Sequence, residues 1–205
     1  MTAPIYLYLR PFTVDGVIEV DNPEKNSLWR NLMPTSSNAT RPYVNLEELI
    51  LQALAARGTL LAIGRTTNIV GAGKIIAGED KWRDYFDMLS ARAACIISVP
   101  SLHPSTLWEL EQLAQRALFS RVLMIFTGLH FAGKDVRYLL PNLAPKLKQA
   151  GWDLPADLTA TSLVTFAQKG DVSCHHADSR HRKRHLAGMI DKVLERPVTS
   201  SHGKP

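Results

Sequence analysis

The stretch that decides the fold is residues 94–111, which read ACIISVPSLHPSTLWELE. It begins with an apolar run, Ala94 to Val99, continues through a turn that contains proline and serine, and ends in a segment with helical spacing. A short run that is apolar on both alternating faces is typical of a strand covered on two sides, as in a parallel sheet. The stretch therefore predicts a strand, a turn and a helix in succession, which is a unit of an α/β protein.

Four more apolar runs of this kind occur along the chain, and segments with helical spacing lie between them. The five predicted strands are Ile5 to Leu9, Thr59 to Ile63, Ala94 to Val99, Val122 to Phe126 and Leu163 to Phe166. Such alternation is the signature of successive βαβ units. We therefore predict one doubly wound α/β domain over residues 1–196, followed by a flexible tail at residues 197–205.

The helical segments carry recognisable start and stop signals. Asn45 is placed to cap the first helix, with Glu48 at the capping-box position and Gly58 as the stop. The further predicted helices cover residues 79–92, 105–119 and 134–150, and a last one contains the stripe Leu186, Met189, Ile190, Val193 and Leu194. Residues 15–43 show neither the apolar spacing of a helix nor that of a strand, and they contain three prolines. We therefore predict a long loop insertion, and loops of this length are usually functional or disordered.

The composition is that of a folded domain that needs neither disulfide bonds nor a structural metal ion for stability. The chain has 205 residues, of which 45% are hydrophobic and 21% charged. Its two cysteines, Cys95 and Cys174, suit reduced thiols better than a disulfide framework. No apolar stretch approaches the roughly 18 residues of a membrane span, and the N-terminus lacks a basic leader. We therefore expect a cytoplasmic protein without a membrane span.

The net charge of +5 is concentrated near the C-terminus. Between residues 180 and 196, six basic residues stand against two acidic ones, and the rest of the chain is nearly neutral. We interpret this segment as the solvated face of the last helix and do not expect a nucleic-acid partner, although a patch for RNA, DNA or an acidic protein is the alternative. His181 and His185 have one-face spacing near Cys174, but ligands from one short segment without a Cys-x-x-Cys pair predict no metal site.

Polar and basic residues follow the predicted strands, at the positions where parallel sheets bind their ligands. The candidate binding residues are Arg10, Phe12, Arg65, Gly71, Gly73, Lys74, Trp82, Ser105 and Trp108. The stretch from Gly71 to Lys74 lacks the spacing of a Walker loop, so it is either a flexible turn or a loop that contacts phosphate or gates a pocket.

Two glutamates of the predicted third helix differ in position. On a helical wheel over residues 107–118, Glu111 falls beside the apolar arc and Glu109 falls on the polar side. Glu109 also has capping-box spacing from Thr106, which predicts a structural role. A carboxylate beside a buried seam at the ligand edge is an expected place for a catalytic or ribose-binding group. Glu111 is therefore the predicted catalytic residue and Glu109 the second choice, while a salt-bridged glutamate at the rim is the alternative.

These residues resemble the centre of a TIR (Toll/interleukin-1 receptor) domain. The resemblance lies in residues 80–86, Ala94 to Val99 and Ser105 to Glu111, and Arg10-Pro11-Phe12 is similar to a bacterial TIR-like group. The family opens its third helix with Ser-x-Trp-x-x-x-Glu, whose glutamate is catalytic in members that cleave NAD. Here the spacing from serine to glutamate is kept, but Trp108 stands one residue later. The resemblance implies a flavodoxin-like sheet of five parallel strands in the order 2-1-3-4-5.

The resemblance also implies an NAD-cleaving nucleosidase, of a kind that often serves bacterial defence or toxicity. Nicotinamide leaves as a neutral molecule, so one carboxylate that stabilises the oxocarbenium-like ribosyl transition state is sufficient, and Glu111 would supply it. Arg10 and Arg65 would neutralise the pyrophosphate. Phe12 or Trp82 would stack on a base. NAD would be the substrate and no resident cofactor is expected. The alternatives are a non-catalytic scaffold that self-associates or docks on a protein partner, and a nucleotide sensor that uses the same cleft.

Overall fold

Helices cover both faces of a large sheet of seven strands, and four further strands form a second, smaller sheet. The computed structural model describes residues 3–10, 19–21, 43–55, 57–64, 72–78, 80–126, 129–131, 134–135, 140–155, 158, 163–168, 171–175 and 182–194. The strands are β1 (Ile5–Leu9), β2 (Glu19–Asp21), β3 (Tyr43–Asn45), β4 (Thr59–Gly64), β5 (Gly73–Ile76), β6 (Cys95–Ser98), β7 (Val122–Ile125), β8 (Leu129–Phe131), β9 (Lys134–Asp135), β10 (Leu163–Phe166) and β11 (Val172–His175). The helices are α1 (Leu46–Leu54), α2 (Trp82–Arg92), α3 (Pro104–Gln115), α4 (Leu140–Gln149) and α5 (Arg182–Leu194), with a 3-10 turn at Phe119–Arg121.

The large sheet is mixed and has the strand order β11-β10-β7-β6-β1-β4-β5. All five strands predicted from the sequence lie in it, and β4, β1, β6, β7 and β10 follow one another in the expected order. The prediction of five parallel strands is nevertheless wrong, because β10 runs antiparallel to β7 and continues through a hairpin into β11. An apolar run that is buried on both faces reads the same in either direction, so its pattern does not encode the strand direction.

An edge strand replaces part of the predicted turn after β4. Residues from Gly73 to Ile76 form β5, which pairs in parallel with β4 and closes that side of the sheet. The interpretation of Gly73 and Lys74 as part of a flexible turn is therefore wrong, while Gly71 lies outside the described residues. Backbone pairing with β4 holds this short segment extended.

The smaller sheet is antiparallel, in the order β3-β2-β8-β9. It corrects two predictions, because β2 lies inside the predicted long loop at residues 15–43 and β9 lies inside the predicted helix at residues 134–150. The fourth helix starts only at Leu140. The pairing of β2 with β8 joins segments far apart in the sequence, whereas β9 forms a hairpin with the neighbouring β8. Both strands are only two or three residues long, so they give no periodicity to recognise.

Two apolar layers sandwich the large sheet, and the alternation of β1 divides its side chains between them. Tyr6 and Tyr8 face a layer completed by α1 and α5, which we call the α1 layer. Leu7 and Leu9 face a layer completed by α2, α3 and α4, which we call the α3 layer. The predicted stripe of the last helix packs into the α1 layer through Met189, Ile190, Val193 and Leu194. None of the described helices is long and apolar enough to cross a membrane.

The ends of α1 illustrate one correct and one incorrect local prediction. Asn45 caps the helix, and its side chain accepts a hydrogen bond from the backbone N–H of Glu47 at 2.9 Å. The helix ends at Leu54, so Gly58 does not stop it. A Cβ at Gly58 would instead collide with the carbonyl oxygen of Pro4, which explains why the smallest residue stands there.

Candidate functional site

The carboxyl ends of the parallel strands meet at one edge of the large sheet, as expected for a ligand-binding edge. Arg10 directly follows β1, and Ser98 ends β6 a few residues before α3 begins. Among the other predicted site residues, Phe12, Arg65 and Gly71 lie outside the described residues. The remaining predicted residues lie on β5, α2 and α3, so the fold brings part of the predicted set to this region.

Glu111 lies on the solvent side of α3. Its side chain is exposed, and Oε1 accepts a long hydrogen bond of 3.4 Å from Nε2 of Gln115. The expectation that it sits beside the buried seam is wrong. The charge of an exposed carboxylate is weakened by water, so this position offers little electrostatic stabilisation to a reacting group.

The helix is shorter than predicted, because it ends at Gln115 and Ala117 has a positive φ of 53°. The wheel failed for a different reason, since the packing of α3 buries Thr106 and Glu109 and leaves Leu107 and Ala114 only partly buried. The residues that α3 buries are Thr106, Glu109, Leu110 and Leu113. At about 100° per residue, Glu109 lies about 50° from the centre of this arc and Glu111 about 150° from it.

Glu109 is the buried carboxylate of α3. It is 2% exposed, and burial raises the pKa of its carboxyl to about 8. Its Oε2 atom is buried and has no hydrogen-bond partner among the described residues. The group is therefore protonated in most molecules near neutral pH, and it is ready to exchange its proton when a cation or a polar ligand approaches.

Glu109 does not cap the helix, contrary to the prediction. Helix α3 begins at Pro104, and the cap is His103, whose Nδ1 accepts a hydrogen bond from the backbone N–H of Ser105 at 3.3 Å. Glu109 thus lies in the second turn, where its side chain points inward with Thr106. The capping-box spacing was misleading because the true cap, His103, lies three residues before Thr106.

A polar network joins the end of β6 to the start of α3. Ser101 Oγ accepts from the backbone N–H of His103 at 3.2 Å and donates to Oγ1 of Thr106 at 3.1 Å. Nδ1 of His103 also lies 2.7 Å from Oγ of Ser105. Oγ of Ser98 is buried and has no partner among the described residues. Of this group, only Ser105 was a predicted binding residue, although the density of Ser, Thr and His around a proline is a signal that could have drawn attention to the others.

The two predicted tryptophans pack against each other between α2 and α3. The rings of Trp82 and Trp108 meet edge to face with centroids 5.0 Å apart, and Trp108 contacts Phe86 in the same way at 5.5 Å. The guanidinium of Arg83 lies 5.4 Å and 5.0 Å from the centres of the two indole rings. Both tryptophans are half-buried, so they form a partly exposed aromatic surface on the α3 side. The guanidinium of Arg83 makes cation–π contacts with this surface.

Arg10 is engaged by a carboxylate that the sequence analysis missed. Its Nη1 forms an ion pair with Oε2 of Glu47, and both side chains are almost completely buried. Oε1 of Glu47 accepts a hydrogen bond of 2.7 Å from the backbone N–H of Ala72, and the Arg10 guanidinium lies over the ring of Tyr8 at 5.6 Å. Burial raises the pKa of the Tyr8 hydroxyl well above its ordinary value, so this hydroxyl stays neutral. Glu47 therefore links the end of β1, the start of α1 and the entry into β5.

The site residues divide between the two faces of the sheet. Glu109, Ser98 and the tryptophans belong to the α3 side, whereas Arg10, Glu47 and Lys74 belong to the α1 side. The side chain of Lys74 ends in a buried Nζ that has no hydrogen-bond partner among the described residues. This region thus offers a protonatable carboxyl on one face of the sheet, and on the other face a lysine and an arginine that is paired with Glu47.

The described residues contain no group of three or more His, Cys, Asp or Glu that could hold a metal ion. His176 and His181 lie outside them. Neither cysteine is in a disulfide, and burial raises the pKa of the Cys95 thiol to about 12.

Comparison with family models, with curated proteins and with solved structures finds no match to this chain. Function therefore has to be inferred from the residues of the site.

Proposed function

We propose that the protein is a TIR-like, NAD-cleaving nucleosidase in which Glu109, rather than Glu111, is the catalytic carboxylate. The observation that carries this proposal is a buried carboxyl group with an unpartnered oxygen, on the helix that follows the central strand β6. The spatial order of the five predicted strands agrees with the order that the resemblance implies, although the antiparallel β10 departs from it. NAD is the proposed substrate, and no resident cofactor is required.

The raised pKa of Glu109 suits a substrate that carries a positive charge. NAD is cationic at its nicotinamide ring, and a nearby cation favours the ionised form of a carboxyl group and lowers its pKa. The ionised Glu109 would then stabilise the positive charge that develops on the ribosyl carbon. The bond between that carbon and the ring nitrogen breaks, nicotinamide leaves with the electron pair, and water adds to the carbon and releases a proton.

The proposed enzyme would act in the bacterial cytoplasm as a defence or toxicity effector and would self-associate, as the resemblance implies. Depletion of NAD by such an enzyme has to be restrained until it is needed. Assembly that depends on protein concentration is one way to restrain it. Activity should therefore be sought at high protein concentration.

The test is to incubate concentrated protein with NAD and to follow the release of free nicotinamide. We expect Glu109→Gln to lower turnover by about 10²–10³-fold, because glutamine keeps the shape but removes the charge. Glu111→Gln is the matched control, since it removes the same charge two residues away on the exposed face, and it should retain turnover. Loss of turnover in Glu111→Gln with retention in Glu109→Gln would contradict the assignment.

A nucleotide sensor is the second candidate, and one observation favours it. At neutral pH the unliganded Glu109 is mostly a hydrogen-bond donor rather than an anion, and Arg10 is already paired with Glu47. Such an edge could recognise a nucleotide without cleaving it. Saturable NAD binding without nicotinamide release at any protein concentration would favour the sensor, while the absence of both would favour the scaffold.

A further inference from the structure

The α1 layer contains a row of side chains that runs across three neighbouring strands. In the strand register, Tyr8 of β1 pairs with Ala62 of β4, and Ala62 pairs with Lys74 of β5. Residues that are paired in register on neighbouring strands point to the same face. Lys74 therefore shares a face with Tyr8, and nothing bulkier than the methyl group of Ala62 separates them along the row.

The Arg10 and Glu47 pair lies at the end of this row. Arg10 stands two residues beyond Tyr8, and its guanidinium lies over the Tyr8 ring. Ala72 stands two residues before Lys74 and belongs to the α1 layer, and its backbone N–H donates to Glu47. Two contacts thus place the ion pair beside the strand that carries Lys74.

The charges in this layer do not balance among the described residues. Among the described residues, Glu47 and Glu109 are the only carboxylates that are fully buried, and of these two only Glu47 lies in the α1 layer. Glu47 is already used by Arg10 and by the N–H of Ala72. The ion pair of Arg10 and Glu47 is neutral overall, so Lys74 is the remaining basic residue of the row. The Nζ atom of Lys74 is buried and has no hydrogen-bond partner in the described part of the chain. An oxyanion at Nζ would supply the hydrogen-bond acceptor that the described residues do not.

We propose that a phosphoryl-type oxyanion binds in the α1 layer beside Lys74, within the field of Arg10. Lysine binds phosphate as a point charge, and the guanidinium of Arg10 adds positive charge to the same layer, so this environment suits a phosphoryl group. The site lies on the face of the sheet opposite Glu109, and its occupation does not depend on the proposed cleavage of NAD. The phosphoryl group can belong to inorganic phosphate or to a nucleotide such as NAD.

The test measures the binding of inorganic phosphate to the full chain by calorimetric titration and by thermal unfolding, at constant ionic strength maintained with sodium chloride. We expect phosphate to raise the melting temperature of the unmodified protein more than chloride does, because a ligand that binds the folded state stabilises it. Lys74→Met should weaken phosphate binding at least about tenfold. Lys81→Met is the matched control, because Lys81 is exposed and its replacement removes the same charge.

The outcomes separate this proposal from the proposed function. If Lys74→Met does not fold, Lys74→Gln serves as the second variant, and its folding is checked by circular dichroism. Phosphate binding that is lost in the Lys74 variants and kept in Lys81→Met supports the site. Equal binding by all of these proteins, or no binding by the unmodified protein, overturns it. Competition between NAD and phosphate in Glu109→Gln identifies the nucleotide as a source of the phosphoryl group. Phosphate binding without such competition supports the site and counts against NAD.

Discussion

Replacing Glu109 by glutamine should change how the stability of the protein depends on pH. Burial raises the pKa of this carboxyl to about 8 in the folded protein, from an ordinary value of 4.5. Because the folded state keeps its proton where the unfolded chain loses it, stability falls as the pH rises from the ordinary pKa to the folded pKa. Glutamine does not titrate, so this part of the pH dependence should disappear in the variant.

The size of the effect follows from the two pKa values. One pKa unit corresponds to about 1.36 kcal/mol, so the full shift of the Glu109 pKa is an upper limit of about 5 kcal/mol in the free energy of unfolding. Of this, about 3 to 4 kcal/mol is lost between about pH 5 and about pH 8. Domains of ordinary size have total stabilities of about 5–15 kcal/mol, so the loss is large enough to measure.

The assay is urea unfolding followed by tryptophan fluorescence at several pH values between about 5 and 8. Glu111→Gln is the control, because it removes an exposed carboxylate from the same helix. Between these pH values, we expect the free energy of unfolding of Glu109→Gln to increase by about 3 kcal/mol relative to that of the unmodified protein. The free energy of unfolding of Glu111→Gln should change with pH in the same way as that of the unmodified protein. If Glu109→Gln also ran parallel, the carboxyl would not be buried in its neutral form and the reasoning would be refuted.

Three further substitutions test contacts within the fold, and a fourth, Gly188→Ala, is a control. Glu47→Gln should lower the free energy of unfolding by about 3–5 kcal/mol, because it leaves a buried arginine without its carboxylate, and a loss below about 1 kcal/mol in urea unfolding would argue against burial of the pair. Trp152→Phe removes the hydrogen bond of 2.9 Å from Nε1 to the Leu110 carbonyl, and the unpaired carbonyl should cost about 1–3 kcal/mol in the same assay. Gly58→Ala should lower the melting temperature because the new methyl group meets the backbone of Pro4. Gly188→Ala has open space around it in α5 and should raise the melting temperature through a gain of about 0.5–1 kcal/mol, so equal effects at the two glycines would contradict the close approach at Gly58.

Local patterns were sufficient to predict most of the secondary structure. The run from Ala94 to Val99 and its four counterparts all form strands, because a short segment that is apolar on both faces is stable only when it is covered on both sides. The cap at Asn45 was also predictable, since it depends on an interaction two residues away. The direction of β10 and the pairing of β2 with β8 were not predictable in this way, because they depend on strands that are distant in the sequence. The strands β5 and β9 pair with neighbours in the chain, but they are too short to show a pattern.

The choice between Glu109 and Glu111 shows where local reasoning reaches its limit. The residues of α3 determine a helix, but the packing of α3 on the sheet decides which face becomes the inside. Burial of Thr106 and Glu109 turns the centre of the buried arc away from the predicted apolar arc. It also exchanged the environments that were predicted for the two carboxyl groups.

The sequence by itself determined an α/β chain with polar residues at the carboxyl ends of its strands and two glutamates near the start of its third helix. Only the tertiary structure brought Glu47 to Arg10, 37 residues away in the chain, and buried Glu109 so that its proton is retained near neutral pH. The physical reason is that both the pairing of charges and the pKa of a carboxyl depend on the loss of water around the group. That loss is a property of the whole packed layer and not of the neighbouring residues along the chain.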